Sequence, residues 1–429
     1  MTDPRPLHPT TPTTTTPTVV LLEAPPTGAG EAAVRLIRER GHQPLVLTHP
    51  DGRMPAAGAA RLREAGAQIH HCRTDDTDAV TAHCRTIDHL AALTTLYEFS
   101  VQVAADAAAR LHLPGPDPDA VRRCRSKALL RTTLEPHPGL NAAFGRAETT
   151  QEALAHAERI GYPVVVKATT LAGSAHITLC ATPGDVVRDA GRILSLADYL
   201  GFEVPREVLV EEYLAGEEFS VEIFHGRGIG VNAKLLGPPP HFIELGHHYP
   251  AQIPAPLAAE LLRTAERAVA ATGLTWGPAH VELRCRFGRS QPRVVEINPR
   301  VAGDRIAELV RLADGVDLFG AQLDALLGRR PDVRPRALGG AAVRFIPSPG
   351  HGVITHLTDP AHLAALPGVR EVRFQRAVGD RAPRMLSNLE RLGHVIATGD
   401  DTAQAVERAQ QALGHCTVQV TDPTPTKGP

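Results

Sequence analysis

The stretch VVEINPR at residues 294–300 puts Glu296, Asn298 and Arg300 at every second position of an otherwise apolar run. A buried charge is costly unless it is paired or holds a metal. Whatever this chain folds into must therefore compensate those side chains. Upstream, HVELRCRF (280–287) alternates in the same way, and GRSQ (288–291) between the two is a turn signal. A hairpin centred near Arg289 sets Glu282 directly opposite Glu296. Like charges facing each other across two strands are destabilising, so this pair must share a proton or a cation. The two-residue period keeps Asn298 on the face of Glu296. Two carboxylates and an amide oxygen make a hard, all-oxygen donor set. It suits Mg²⁺, which takes few protein ligands and leaves the rest to substrate phosphates. Arg300, again in phase, is placed to grip an anionic intermediate. The alternative is an ion pair between one glutamate and Arg300, with the other glutamate at the rim.

Lysine usage singles out further positions. Only four of the 45 basic residues are lysine: Lys127, Lys167, Lys234 and Lys427. Arginine supplies the generic surface charge, so a lysine inside the folded part is expected where a compact point charge on a flexible stem is needed, as at phosphate. Lys167 ends a buried apolar strand in VVVKATTLAGSAHITLC and is followed by Thr169, Thr170, Gly173 and Ser174. Backbone N–H groups and hydroxyls in such a loop can cradle phosphates; a plain β-hairpin with an edge lysine is the equal alternative. In VLVEEYLAGEEFSVE an apolar strand runs into Glu211, Glu212, Tyr213 and Leu214, whose backbone groups can read a purine edge. Glu218 follows, placed to accept ribose hydroxyls; an acidic strand end on the surface is the alternative. Lys234 receives no role.

The totals fit a multidomain globular chain. At 429 residues about two to three domains are expected. A net charge of −2 argues against nucleic acid as a partner. Six cysteines with no CxxC pair point away from zinc or disulfides and toward reduced thiols in a cytoplasm. No stretch reaches the roughly 18 apolar residues of a membrane helix, and no basic-then-apolar leader pattern is present. The Thr/Pro-rich residues 1–17 and residues 422–429 read as disordered tails.

The opening segment reads strand, glycine turn, amphipathic helix, strand, within a doubly wound α/β domain over 18–115. Its TGAG (27–30) is either a tight turn or a fragment of a dinucleotide fingerprint. From residue 116 hairpins and helices alternate, which argues α+β. DAVRRCRSKALLRTTL (119–134) reads as one basic helix, and 208–224 as two strands around a turn at Ala215–Gly216. After residue 331 the pattern is mainly β with one late helix.

Taken together, a phosphate loop, then a purine-edge strand, then a metal hairpin resemble the ATP-grasp superfamily. The likeness is to its carboxylate–amine ligase branch: the L-amino-acid ligases and, more distantly, biotin carboxylase. NPRVAGDRI, PPHFIELGHHYPA and RLGHVIATGDDTAQAVERA carry it further. The resemblance covers nearly all of 18–420. It implies an ATP-grasp domain over 116–330 with a lid at about 140–215, followed by a C-terminal α+β domain over 331–421.

By position it implies that Lys127 and Lys167 contact ATP, with Thr169, Gly173, Ser174 and His176 in the phosphate loop. Glu211, Glu212 and Leu214 lie at the adenine, and Glu218 at the ribose. Glu282, Glu296 and Asn298 hold the metal, and Arg300 stabilises the acyl phosphate or tetrahedral intermediate. Glu244 and His247 lie where the ligases bind substrate, and Arg305, beside Asp304, is placed to hold a carboxylate. One departure stands out: His176 occupies a position where many relatives have a second glycine.

The implied reaction forms a dipeptide or amide through an acyl phosphate, using ATP and Mg²⁺, with Mn²⁺ the other ion. A carboxylase-type enzyme that phosphorylates bicarbonate, and a nucleotide-binding module without chemistry, are the rivals. The partners are small-molecule acids and amines. Neither nucleic acid nor membrane is expected, and a homodimer is left open.

Overall fold

The computed structural model describes residues 16–25, 28–286, 288 and 291–421. Most of both expected tails, Thr27 of the glycine turn and Arg289 at the hairpin turn lie outside the described residues.

TVVLL, Thr18–Leu22, is buried at every position, as befits a strand covered on both faces of a parallel sheet. It lies between Gln43–Thr48 and Leu90–Thr94, parallel to both, and Gln68–His71 extends the sheet beyond Gln43–Thr48. Helices Ala29–Glu39, Ala56–Ala65 and Thr77–Cys84 connect these strands. This is the parallel α/β arrangement expected of the opening segment.

A second, antiparallel sheet runs Phe144–Ala147, Val208–Glu212, Val164–Ala168, Ile177–Cys180. Helices Thr150–Ile160 and Pro183–Leu194 pack on it around a core of alanine and valine. The third sheet has eight strands, in the order Arg293–Asn298, Pro278–Cys285, Glu217–Phe224, Arg227–Leu236, Glu244–Tyr249, Gly340–Ile346, Gly393–Gly399, Val369–Phe374. Helix Ala255–Thr272 covers the apolar face of its first half.

Two expectations need correction. The basic helix is two helices, Pro118–Arg125 and Lys127–Leu134. Ser126 between them is extended (φ −88°, ψ 112°), and its side chain accepts from the Leu129 N–H. The Lys127 N–H, left without a helical partner, donates to the Thr169 carbonyl at 2.9 Å.

Strands Val208–Glu212 and Glu217–Phe224 are not a hairpin either. They belong to different sheets, and the segment between them crosses from one to the other. Gly216 there serves close approach: a Cβ would stand 2.0 Å from the Cys285 carbonyl oxygen, at a φ of 123°. Only glycine tolerates that backbone.

The C-terminal segment shares the central sheet. Gly340–Ile346 pairs with Glu244–Tyr249, so the segment continues the central sheet.

Candidate active site

Strict alternation gives the central sheet one apolar and one polar face. Phe219, Val221 and Ile223 pack toward Ala255–Thr272, while Glu218, Ser220 and Glu222 point the other way. On the next strand Val281 and Leu283 are core, and His280, Glu282 and Arg284 share the polar face. Register aligns these side chains into cross-strand rungs. One rung runs Glu296, Glu282, Ser220, Asn232; a second runs Arg284, Glu218, Lys234, His247; a third runs Asn298, His280, Glu222. Glu282 and Glu296 are thus directly opposed, as the hairpin demanded. The register slips by one residue between Glu282 and Leu283, on the turn side of that pair.

The polar face forms one wall of a cleft enclosing about 1120 Å³, solvent at its mouth included. The second sheet supplies the facing wall through Val165, Lys167, the loop Leu171–Ala172–Gly173–Ser174 and the strand end Glu211 to Leu214. Lys127, Arg131, Arg300, Asp304 and Asn388 also line the cleft.

Each carboxylate of the hairpin is compensated by an ammonium. Lys127 Nζ lies 3.0 Å from Glu296 Oε2 and donates to the Leu171 carbonyl at 2.6 Å. Lys234 Nζ lies 2.8 Å from both Glu282 and Glu218 and 3.2 Å from Glu244. Burial opposes ionisation of Glu296, yet Lys127 and Asn298 hold it well below the usual carboxylate range. Burial with Glu282 alongside pushes Glu218 up. His280 resists burial because Glu222 and Glu282 flank it at 2.8 and 3.3 Å; its pKa rises to about 10, so it is protonated at neutral pH.

The other wall carries a second buried cluster. Glu211 accepts from Arg131 at 2.5 Å and from Lys167 at 2.6 Å. Against burial, those two cations keep it below the usual carboxylate range. Glu212 is gripped by both Nη atoms of Arg293 at 2.7 Å. The backbone of the loop after Ala168 is left-handed at Gly173 (φ 67°), Ser174 (φ 58°) and His176 (φ 53°). A residue with a side chain is strained there, which gives physical content to the departure from glycine at 176.

Among the residues singled out from sequence, Lys127, Lys167, Gly173, Ser174, Glu211, Glu212, Leu214, Glu218, Glu244, Glu282, Glu296, Asn298 and Arg300 all line the cleft. Four others do not. Thr169 is buried and acts through its carbonyl, which holds the start of the Lys127 helix. His176 stands edge-on to Tyr199, away from the cleft. His247 is fully buried behind Glu244, 2.9 Å from its Oε2. Arg305 is paired with Glu371. In this structure these four side chains stand outside the cleft lining.

Arg300 is paired with neither hairpin glutamate. Its guanidinium is held by Glu98, which Arg125 also approaches at 3.4 Å.

Sequence reasoning missed Arg131, His280, Glu98 and the hub position of Lys234. Only Lys234 carried a usable signal, the scarcity of lysine. The others are ordinary residue types whose partners lie far along the chain.

A family model described as an ATP-grasp domain matches residues 160–308, and one described as L-amino acid ligase C-terminal domain 2 matches 344–421. The uncharacterized protein y4rH of Sinorhizobium fredii is 28% identical over 396 residues, 90% of this chain and 79% of that protein. Carnosine synthase 1 of Gallus gallus is 29% identical over 239 residues, 52% of this chain but only 26% of that longer protein. The crystal structure of an L-amino acid ligase from Bacillus licheniformis superposes with a TM-score of 0.77 at 18% identity, covering 95% of this chain and 99% of that one. The chain thus carries an ATP-grasp domain over 160–308 and an L-amino acid ligase C-terminal domain over 344–421.

Proposed function

We propose that this chain is an ATP-dependent ligase joining an amino acid or related carboxylate to an amine through an acyl phosphate, with release of ADP and phosphate. One observation carries the reading. Glu282 and Glu296 are paired residues facing one cleft, with Asn298 beside them and Lys127 and Lys167 within the same cleft. The donor set fits Mg²⁺, with Mn²⁺ the alternative: two carboxylates, and an amide whose N–H group donates to Glu296 at 2.9 Å while its oxygen remains available as a ligand. Glu282, Glu296 and Asn298 would hold the ion, which when bound neutralises the phosphate tail of ATP.

The chain's own residues do the rest. Lys127, Lys167 and the 171–174 loop hold the phosphates, the backbone of 211–214 meets the purine edge, and Glu218 takes the ribose. The substrate carboxylate attacks the γ-phosphorus, and the amine then displaces phosphate from the acyl carbon. Arg300, oriented by Glu98, meets the charge that develops on oxygen. Glu244 and Asp304 supply negative charge to the cleft, suited to the amine substrate. The second sheet, the lid of about 140–215, excludes water that would hydrolyse the acyl phosphate.

On this reading 18–115 is an N-terminal domain, 116–330 the nucleotide-binding domain and 331–421 a C-terminal domain built into the central sheet. No helix among the described residues is long and apolar enough to cross a membrane. The six free cysteines support a reducing, cytoplasmic setting. A homodimer is the assembly to test, by light scattering.

The deciding experiment is ADP release screened against amino-acid pairs, with product masses. If no carboxylate–amine pair raises ADP release above background, the ligase reading fails. Bicarbonate-dependent release without an amine would put the carboxylase-type reaction in its place.

A further inference from the structure

Lys234 sits on the strand Arg227–Leu236 with its side chain 1% exposed, and it is not among the residues lining the cleft. Its ammonium nonetheless reaches Glu218 and Glu282 at 2.8 Å and Glu244 at 3.2 Å. An ammonium has three N–H donors, and here three carboxylates surround it. Those carboxylates come from three different strands, Glu217–Phe224, Glu244–Tyr249 and Pro278–Cys285. The ligase reading, on which this inference rests, gives each to a different reactant: Glu218 to the ribose, Glu244 to the amine, Glu282 to the metal.

We propose that Lys234 is a positioning residue, whose single buried ammonium ties Glu218, Glu244 and Glu282 together and so holds the nucleotide, amine and metal subsites at one spacing. Without it, carboxylates drawn toward one point would repel and separate. The residue type matters as much as the charge. A guanidinium is a planar fork with its donors spread over three nitrogens and cannot place three N–H groups around one point. A chain that otherwise draws on arginine keeps lysine here.

The test is Lys234→Arg, which keeps the charge that neutralises the cluster, beside Lys234→Met, which removes it. Half-saturating concentrations of ATP, Mg²⁺ and amine are measured in steady state. Binding of a fluorescent ATP analogue with Mg²⁺ is measured separately, without turnover. Lys234→Arg should fold, with a wild-type circular dichroism spectrum. All three half-saturation values should rise together and kcat/KM should fall by about 10–100-fold, the range for residues that orient ligating groups. Lys234→Met, if it folds, should show the same joint loss. A purely structural lysine would lower the melting midpoint but leave these values unchanged in the folded enzyme. Lys234→Arg values within about twofold of wild type would overturn the proposal. If the wild-type chain turns over no pair, the ligase reading falls; weakened Mg²⁺–nucleotide binding in Lys234→Arg still upholds the Lys234 inference, and unchanged binding still defeats it.

Discussion

Replacing Glu296 with glutamine separates two views of the hairpin. Seen from the sequence, the change removes one of two repelling charges and should leave the fold intact. The structure points the other way. Glu296 Oε2 lies 3.0 Å from Lys127 Nζ, with the two side chains 18% and 7% exposed. At an effective dielectric near 20, unit charges at that distance attract by ~5–6 kcal/mol. Desolvation of the pair takes back much of this, and glutamine can still accept a hydrogen bond from Lys127. The net loss is therefore ~1–3 kcal/mol. Relief of repulsion adds little, because Glu282 already has Lys234 at 2.8 Å and His280 at 3.3 Å. At about 1 °C per kcal/mol for a chain of this length, Glu296→Gln should melt ~1–3 °C below wild type. It should also lose most of the added stability that a non-hydrolysable ATP analogue with Mg²⁺ confers, and ADP release should fall to background. Thermal melts with and without that analogue, beside the ADP assay, read all three. A midpoint equal to or above wild type refutes the ion-pair reasoning, and near-normal ADP release refutes the metal role.

Glu211→Gln should cost ~3–5 kcal/mol at neutral pH, since it leaves Arg131 and Lys167 buried without their carboxylate. The folded Glu211 titrates below its usual 4.5, so its contribution is complete above that value and is lost as pH falls through the folded pKa. Urea midpoints measured from neutral to acid pH should fall less steeply in the variant than in wild type; parallel acid limbs would count against the assignment. Arg300→Lys removes a guanidinium that Glu98 orients and that also donates to the Val301 carbonyl at 2.9 Å. The guanidinium serves these partners from separate nitrogens, positions that a single ammonium nitrogen does not span, so kcat should drop by ~10²-fold with little change in the half-saturating ATP concentration. A rise in the ATP requirement at unchanged kcat would move Arg300 from the reaction to nucleotide binding.

What the sequence revealed, and what it concealed, follows from how far apart interacting residues lie. The opposition of Glu282 and Glu296 is local: two alternating strands and a turn suffice, and the slip in register falls on the turn side, where it leaves the pair undisturbed. The parallel opening sheet was legible because TVVLL has the unbroken apolar character of a strand buried on both faces. Gly216 misled because turn and close approach demand the same residue; only the neighbouring strand at Cys285 shows which applies. The break at Ser126 was hidden because the helical pattern runs across it. Its cause lies 43 positions further on, at the Thr169 carbonyl that takes the Lys127 N–H.

The same distinction explains the buried charges. A strand's alternation shows which side chains share a face but not what neutralises them, because the partner comes from another element. Glu296 is answered by a helix start, Glu211 by a helix interior and a strand of the second sheet, and Arg300 by the segment after the first sheet. The lysine count recovers part of this. Lys127, Lys167 and Lys234 each end on a carboxylate at the cleft wall, so the basic residue this chain uses less marks where a compact cation is indispensable. Where the counter-charge is arginine, as with Arg131 and Glu211, it is indistinguishable in sequence from the chain's many surface arginines. A site assembled from long-range ion pairs is therefore readable on its lysine side and unreadable on its arginine side until the fold brings the partners together.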